Sequence, residues 1–157
     1  MKVIAFDIDG TIVHTPEGEV TNYDDPASLA KMTPCPVIIP WLRLTQKGYK
    51  LIAITGRGRH VHEFTRQQIK RLGLDDVTVH SMNHHGIFPG YAAMTKYKTD
   101  ILKHSNEKDT VILYVGDTSW DKEAATKARV LFFYAKDLME IIKCGENDAT
   151  TYYKSVQ

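Results

Sequence analysis

The sequence predicts an α/β fold, a doubly wound, Rossmann-like parallel sheet with helices on both faces. Three observations carry that expectation. Short, mostly apolar runs recur at residues 2–6, 50–54, 77–80, 111–115 and 130–133, as suits strands covered on both faces. Helical patterning follows at 39–47, 59–72, 98–104, 119–127 and 135–143, and such alternation builds parallel sheets. Polar, reactive residues then gather after three of the strands, the edge at which such sheets bind ligands.

Taken in order, the first strand, 2–6, ends in Asp7-Ile8-Asp9-Gly10-Thr11. Residues 11–21 read as a β-hairpin flap with Pro16-Glu17-Gly18 at its turn. Prolines at 26, 34, 36 and 40 argue against a long helix across 24–40. Gly48 and Gly73 follow two helices, where C-terminal caps are expected. The second strand runs into Thr55-Gly56-Arg57-Gly58-Arg59 at the head of a helix, and Lys98 opens the helix before the fourth strand. That strand runs into Gly116-Asp117-Thr118-Ser119-Trp120-Asp121. Residues 146–157 are polar and read as a tail, which leaves one domain over 1–145.

Composition agrees with a single soluble domain of 157 residues that can bury a proper core. Lys+Arg number 20 against 19 Asp+Glu, so no global basic charge draws the chain to nucleic acid. The apolar runs are too short to span a bilayer, and Asp7 and Asp9 interrupt the first one, unlike a secretory leader. Cys35 and Cys144 form no redox or zinc motif. A reducing, cytoplasmic setting without membrane attachment is expected.

The strand ends carry the chemistry. Asp7 and Asp9, at i and i+2 of an extended segment, point the same way. Two carboxylates there are costly unless a cation joins them, and a hard cation such as Mg²⁺ takes carboxylate oxygens plus a substrate phosphate. Asp117 comes from another strand end and can complete that set. Gly10 lets the chain turn sharply. Thr55 and Gly56 offer a hydroxyl and N–H groups at a helix N-terminus, which suits a phosphate, and Lys98 adds a positive charge. These parts describe phosphoryl transfer through an aspartyl-phosphate.

The same residues carry a resemblance. Asp7-Ile8-Asp9-Gly10-Thr11 resembles motif I of the haloacid dehalogenase (HAD) superfamily, Thr55 before Gly56-Arg57 its motif II, Lys98 its motif III, and Gly116-Asp117 with Asp121 its GDxxxD motif IV. They occur in the family's order over roughly residues 1–133. The resemblance implies that Asp7 is the nucleophile and that Asp9 first protonates the leaving oxygen and then activates water. It implies Mg²⁺ held by Asp7, Asp9 through its backbone carbonyl, and Asp117. Asp121 either orients metal-bound water or steadies Lys98. Thr55 and Lys98 hold the phosphoryl group, with Gly10, Thr11 and Gly56 around it. Lys96 competes with Lys98 for motif III; Lys98 is preferred because it starts the helical segment. The carboxyl of Asp9 favours hydrolysis.

Substrate choice is less specified. The segments between Thr11 and Thr55 and between Thr55 and Lys98 are filled by core elements, so the chain resembles a capless member. Its open site admits bulky substrates or could be covered by a second copy. Arg57, Arg59, Arg66, Lys70 and Arg71 make one helical segment basic; Arg57 and Arg59 could grip an anionic substrate, and Arg66 and Lys70 read as a solvated face. The loop 80–97 holds His84, His85, Phe88, Tyr91, Lys96 and Tyr97, residues that stack on bases and track phosphates or simply pack as a surface loop. Asp24-Asp25-Pro26, Lys47-Gly48-Tyr49 and Ile54-Thr55-Gly56-Arg57 are similar to the phosphatase half of phage-type polynucleotide kinase/phosphatases. Motif IV departs from that group, which shows adjacent aspartates, and no P-loop is present.

The expectation is therefore a Mg²⁺-dependent phosphoric monoester hydrolase acting on a phosphorylated small molecule, such as a nucleotide, or on a nucleic-acid end. A catalytically silent phosphate-binding module is an alternative. A receiver-type phosphoacceptor domain is another, disfavoured because the third strand ends in Val79-His80-Ser81 without an Asp.

Overall fold

The computed structural model describes residues 1–145, so the expected tail at 146–157 lies outside the described residues. In chain order the elements are β1 (Lys2–Phe6), β2 (Val13–His14), α1 (Pro26–Leu29), β3 (Thr33–Pro34), α2 (Ile38–Thr45) and β4 (Lys50–Gly58). A 3₁₀ turn at Arg59–Val61 leads to α3 (His62–Arg71), then β5 (Val77–Met82), α4 (Tyr91–Lys108), β6 (Thr110–Gly116), α5 (Ser119–Ala128), β7 (Phe132–Tyr134) and α6 (Ala135–Lys143).

Five strands pair in parallel in the order β5-β4-β1-β6-β7. Numbered among themselves they run 3-2-1-4-5, the doubly wound order, which reverses direction between β1 and β6. Receiver domains use 2-1-3-4-5, so topology separates this chain from them. Asp7 and Asp117 follow the two strands that flank the reversal.

Side-chain alternation makes two cores. Ile4 and Phe6 face one side, with Leu42 of α2, Ile69 of α3 and Leu138 of α6. Val3 and Ala5 face the other, with Leu102 of α4 and Ala124, Ala125 and Ala128 of α5. Ile4 and Phe6 are fully buried, a gain of about 1.5–3 kcal/mol each. The alanines of α5 let it lie close to α4. Pro40 sits in the first turn of α2, where its missing N–H costs nothing. Gly73 adopts φ +80° and donates to the Lys70 carbonyl. Gly48 has no positive φ and is not a left-handed cap.

Local structure differs from the sequence reading in three places. The strand β2 pairs antiparallel with β3, across the long excursion 15–32, in place of the hairpin expected within 11–21. The turn at Pro16 forms, with the Glu19 N–H on the Pro16 carbonyl, but Cys35 takes the Ile12 carbonyl and brings 33–34 alongside. The strand β4 runs four residues past 54, through a register shift against β5 between Ile54 and Gly58. Thr55, Gly56 and Arg57 therefore lie on a strand extension and not at a helix N-terminus. The helix α4 begins at Tyr91, so Lys98 lies two turns inside it. Ala92, Ala93 and Met94 are good helix formers, and Gly90 sets the entry. Neither interval flanking β4 holds a separate domain. Among the described residues no helix is long and apolar enough to cross a membrane.

Candidate active site

Asp7 is held at the sheet edge by its own backbone, whose N–H donates to the Val115 carbonyl at 2.9 Å. The next residues turn back on the Ile8 carbonyl, which accepts from Thr11 and Ile12. Gly10, at φ +79°, makes this turn possible. A Cβ on Gly10 would fall 2.0 Å from Asp117 Oδ2, so the absent side chain is what lets Asp117 approach β1.

Lys98 crosses from α4 into this edge and is 2% exposed. Its Nζ donates to Asp7 Oδ1 at 3.0 Å and to Asp121 Oδ1 at 2.7 Å. Asp121 is fully buried in the first turn of α5. Its Oδ1 also accepts from the Tyr114 hydroxyl at 2.8 Å, and its Oδ2 from Thr118 Oγ1 at 2.9 Å and from the Asp117 and Thr118 N–H groups. A capping box with Thr118 thus fixes Asp121. Gly116 has no side chain to displace it, since a Cβ there would meet Asp121 at 2.7 Å.

The electrostatics follow from crowding. Burial raises the Asp7 carboxyl well above its ordinary value; Lys98 opposes this, and Asp121, Asp117 and Asp9 add to it. Burial likewise raises Asp117. Burial alone would lift Asp121 too, but the Lys98 charge and the hydrogen bonds to it hold it below the usual carboxylate range. For Lys98 the burial penalty is outweighed by Asp7 and Asp121, so its pKa rises and it keeps its proton. Asp7, Asp117 and Asp121 each offer an oxygen within 4.8 Å of the others. Both Asp121 oxygens are already taken by Lys98, Tyr114 and Thr118, so Asp121 steadies Lys98, and Asp7 and Asp117 are the two carboxylates left to meet a hard divalent cation.

Asp9 faces a different partner. The Arg57 Nε donates to its Oδ2 at 2.9 Å and Nη2 to its Oδ1 at 2.7 Å, a bidentate fork. Arg57 is 3% exposed and is braced by Gln68 Oε1 at 2.8 Å and Thr65 Oγ1 at 3.2 Å, both on α3.

A cavity of about 490 Å³ opens over these groups. Of the residues singled out from sequence, Asp7, Asp9, Gly56, Arg57, Lys98 and Asp117 line it. Asp121 lies beneath, behind Lys98. Thr55 and Thr11 are fully buried outside the lining; the Thr55 hydroxyl accepts the Arg57 N–H at 3.1 Å, and the Thr11 hydroxyl has no partner among the described residues. Gly10 lies against Asp117, and Arg59 is exposed outside the cavity. Lys96 points to solvent and pairs with Asp100 at 2.7 Å, whereas Lys98 is the one inside. Arg66 pairs with Glu63 on the solvated face.

Of the loop residues singled out from sequence, His84, Phe88 and Tyr91 line the cavity as well. The residues missed from sequence are Tyr114, a hydroxyl hidden in an apolar strand run, and the rim positions 21–23, Met94 and Trp120. Asp24 ties the excursion down through His60 Nε2 at 2.9 Å. His84 Nε2 donates to the Gly56 carbonyl at 2.9 Å, and its Nδ1 accepts the Gly86 N–H.

No family model and no curated protein matches the chain at the level of sequence. Solved structures do match in shape. A chain of the Pnkp1/Rnl/Hen1 RNA repair complex superposes with a TM-score of 0.68 at 16% identity, over 85% of this chain. A second structure of the Pnkp1/Rnl/Hen1 complex gives 0.67 at 18%. The HAD domain of effector protein Lem4 from Legionella pneumophila, an inactive mutant, gives 0.60 at 13% identity over 90% of this chain and 93% of that one. The fold is HAD-like. The chain spans only 42% of the length of the RNA-repair chain, whereas its match to the Lem4 domain is nearly end to end. A HAD-like fold accounts for the position of the site, since both aspartates flank the reversal between β1 and β6.

Proposed function

We propose that this chain is a Mg²⁺-dependent phosphatase that hydrolyses a phosphate monoester through an aspartyl-phosphate on Asp7. The observation that carries this reading is the placement of Lys98 between Asp7 and Asp121, with Asp117 alongside and Asp9 held across the cavity by Arg57.

An oxygen of Asp7 bonds to phosphorus as the ester P–O bond breaks, and Asp9 gives its proton to the departing alkoxide. Water then attacks phosphorus, the P–O bond to Asp7 breaks, and Asp9 takes the water's proton. Arg57 fixes the carboxyl of Asp9: one oxygen stays on the guanidinium while the other leaves the fork to carry the proton in both transfers. Lys98 stays protonated and faces the phosphoryl charge, with Asp121 and Tyr114 holding its ammonium in place. Asp7, Asp117 and the main chain of Asp9 would hold Mg²⁺. When bound, it supplies positive charge that lets an anionic phosphate approach ionised Asp7. Thr55 supports the Arg57 backbone in this reading, one step removed from substrate.

The substrate is a nucleotide or a nucleic-acid end. The open cavity admits a bulky ester, and the likeness in fold to a chain of an RNA repair complex supports this choice. A second copy of the chain covering the cavity is compatible with the same chemistry.

Purified protein with Mg²⁺ is expected to hydrolyse a generic aryl phosphate, and Asp7→Asn to abolish turnover. Undiminished turnover by Asp7→Asn would overturn the mechanism.

A further inference from the structure

Four rings line one side of the cavity in unbroken contact. Trp120, in the first turn of α5, lies 4.6 Å from Tyr91 in the first turn of α4, with ring planes 37° apart. Tyr91 meets Phe88 at 5.4 Å, and Phe88 meets His84 edge-on at 6.3 Å. All four share the cavity with Asp7 and Lys98.

This wall is held open to water. Phe88 and Tyr91 are 44% and 59% exposed, and the adjoining Ile87 is 85% exposed. Large apolar groups gathered at the surface mark a binding face. Backbone geometry builds the exposure in. Gly86 and Gly90 both adopt φ +101°, a conformation natural to glycine, and they bracket Ile87-Phe88-Pro89. His84 anchors the near end through Gly56 and Gly86.

We infer that the wall is a subsite for the base of the substrate's leaving group, so that esters of nucleosides are chosen over esters of sugars or polyols. This deepens the phosphatase reading and rests on it. Aromatic faces bind every base by stacking and discriminate little among them. Both His84 nitrogens are already engaged, so that end of the wall selects a flat apolar face and not a hydrogen-bonding edge. The wall also runs over three ring-to-ring steps, more than the single phenyl of a phosphotyrosine would cover.

The test compares kcat/KM for a nucleoside monophosphate, a terminally phosphorylated oligonucleotide, phosphotyrosine and β-glycerophosphate. The base-bearing esters are expected to be used at least about tenfold better than the other two, chiefly through KM. The better of the two base-bearing esters identifies the source as free nucleotide or nucleic-acid end. Phe88→Ala and Tyr91→Ala should each raise KM for those esters about tenfold, well beyond any change with β-glycerophosphate, and Tyr91→Phe should restore the wild-type KM. Equal use of β-glycerophosphate, preference for phosphotyrosine, or alanine variants that slow every ester alike would overturn the inference. Absence of turnover on all four would refute the phosphatase reading instead. The wall is then tested alone by titrating unphosphorylated adenosine and following Trp120 fluorescence, with Trp120→Phe as the blank. Saturable quenching supports the subsite, and its absence overturns it.

Discussion

Replacing Arg57 tests whether its guanidinium serves Asp9 or the substrate. Arg57→Ala removes both donors to the Asp9 carboxylate, at 2.9 and 2.7 Å, and the contacts to Gln68 and Thr65. The Asp9 side chain is 19% exposed and the Arg57 side chain 1%, so the lost pair is mostly shielded from water. Breaking a pair in this setting costs about 3 kcal/mol. At about 2–4 °C per kcal/mol for a domain of this size, the melting temperature falls by about 6–12 °C. Arg57→Lys keeps the charge but cannot span both oxygens, so its melting temperature lies between. In steady-state assays with Mg²⁺, Arg57→Ala should lower kcat by about 100-fold or more, the worth of a positioned proton donor. Arg57→Lys recovers part of that loss, and KM stays near wild type in both. A large rise in KM with kcat preserved would refute the reasoning and return Arg57 to the substrate-gripping role read from sequence.

Two further outcomes follow from the same geometry. Gly10→Ala should reduce activity and raise the Mg²⁺ concentration needed for half-maximal rate by about tenfold or more, since its Cβ would strike Asp117 at 2.0 Å and φ is +79°; an unchanged Mg²⁺ requirement would count against Asp117 as a ligand. The second outcome concerns pH. Burial raises the Asp7 and Asp117 carboxyls in the folded chain, so their contribution to stability is complete below the ordinary carboxyl pKa and is lost as pH rises through the folded values. Asp121 is lowered, so its contribution persists above its ordinary pKa and is lost only in stronger acid. A cation that binds the ionised carboxylates should therefore raise the melting temperature more at about pH 8 than at about pH 5. Melts with MgCl₂ against KCl of equal ionic strength read this directly, and an equal shift at both pH values would contradict it.

Much of the fold was legible because its signals are local. The apolar runs at 2–6 and 111–115 could only be covered strands, and α6 was read over its observed span. The positions of the candidate site residues next to strand ends were legible for the same reason: Asp7, Asp9 and Asp117 sit where a parallel sheet exposes its edge. The hairpin misled because Pro16-Glu17-Gly18 does form a turn, while the partner of β2 was decided by the distant Cys35 contact with Ile12. The extension of β4 through Arg57 was hidden by two glycines that read as loop. The start of α4 was hidden because Gly86, Pro89 and Gly90 directly before it read as a loop that runs on into its first turns.

By itself the sequence determined the strand–helix alternation, the acidic strand ends and two candidate lysines to answer them, because strand period, helix period and motif spacing are properties of neighbours along the chain. Tertiary structure decided the rest. It placed β1 beside β6, so that Asp7 and Asp117 approach across a glycine. It chose Lys98 over Lys96 by which face of α4 meets the sheet. It turned Arg57 onto Asp9 through Thr65 and Gln68, and it gathered His84, Phe88, Tyr91 and Trp120 into one wall. Each of these depends on contacts between residues far apart in the chain, which no local pattern encodes.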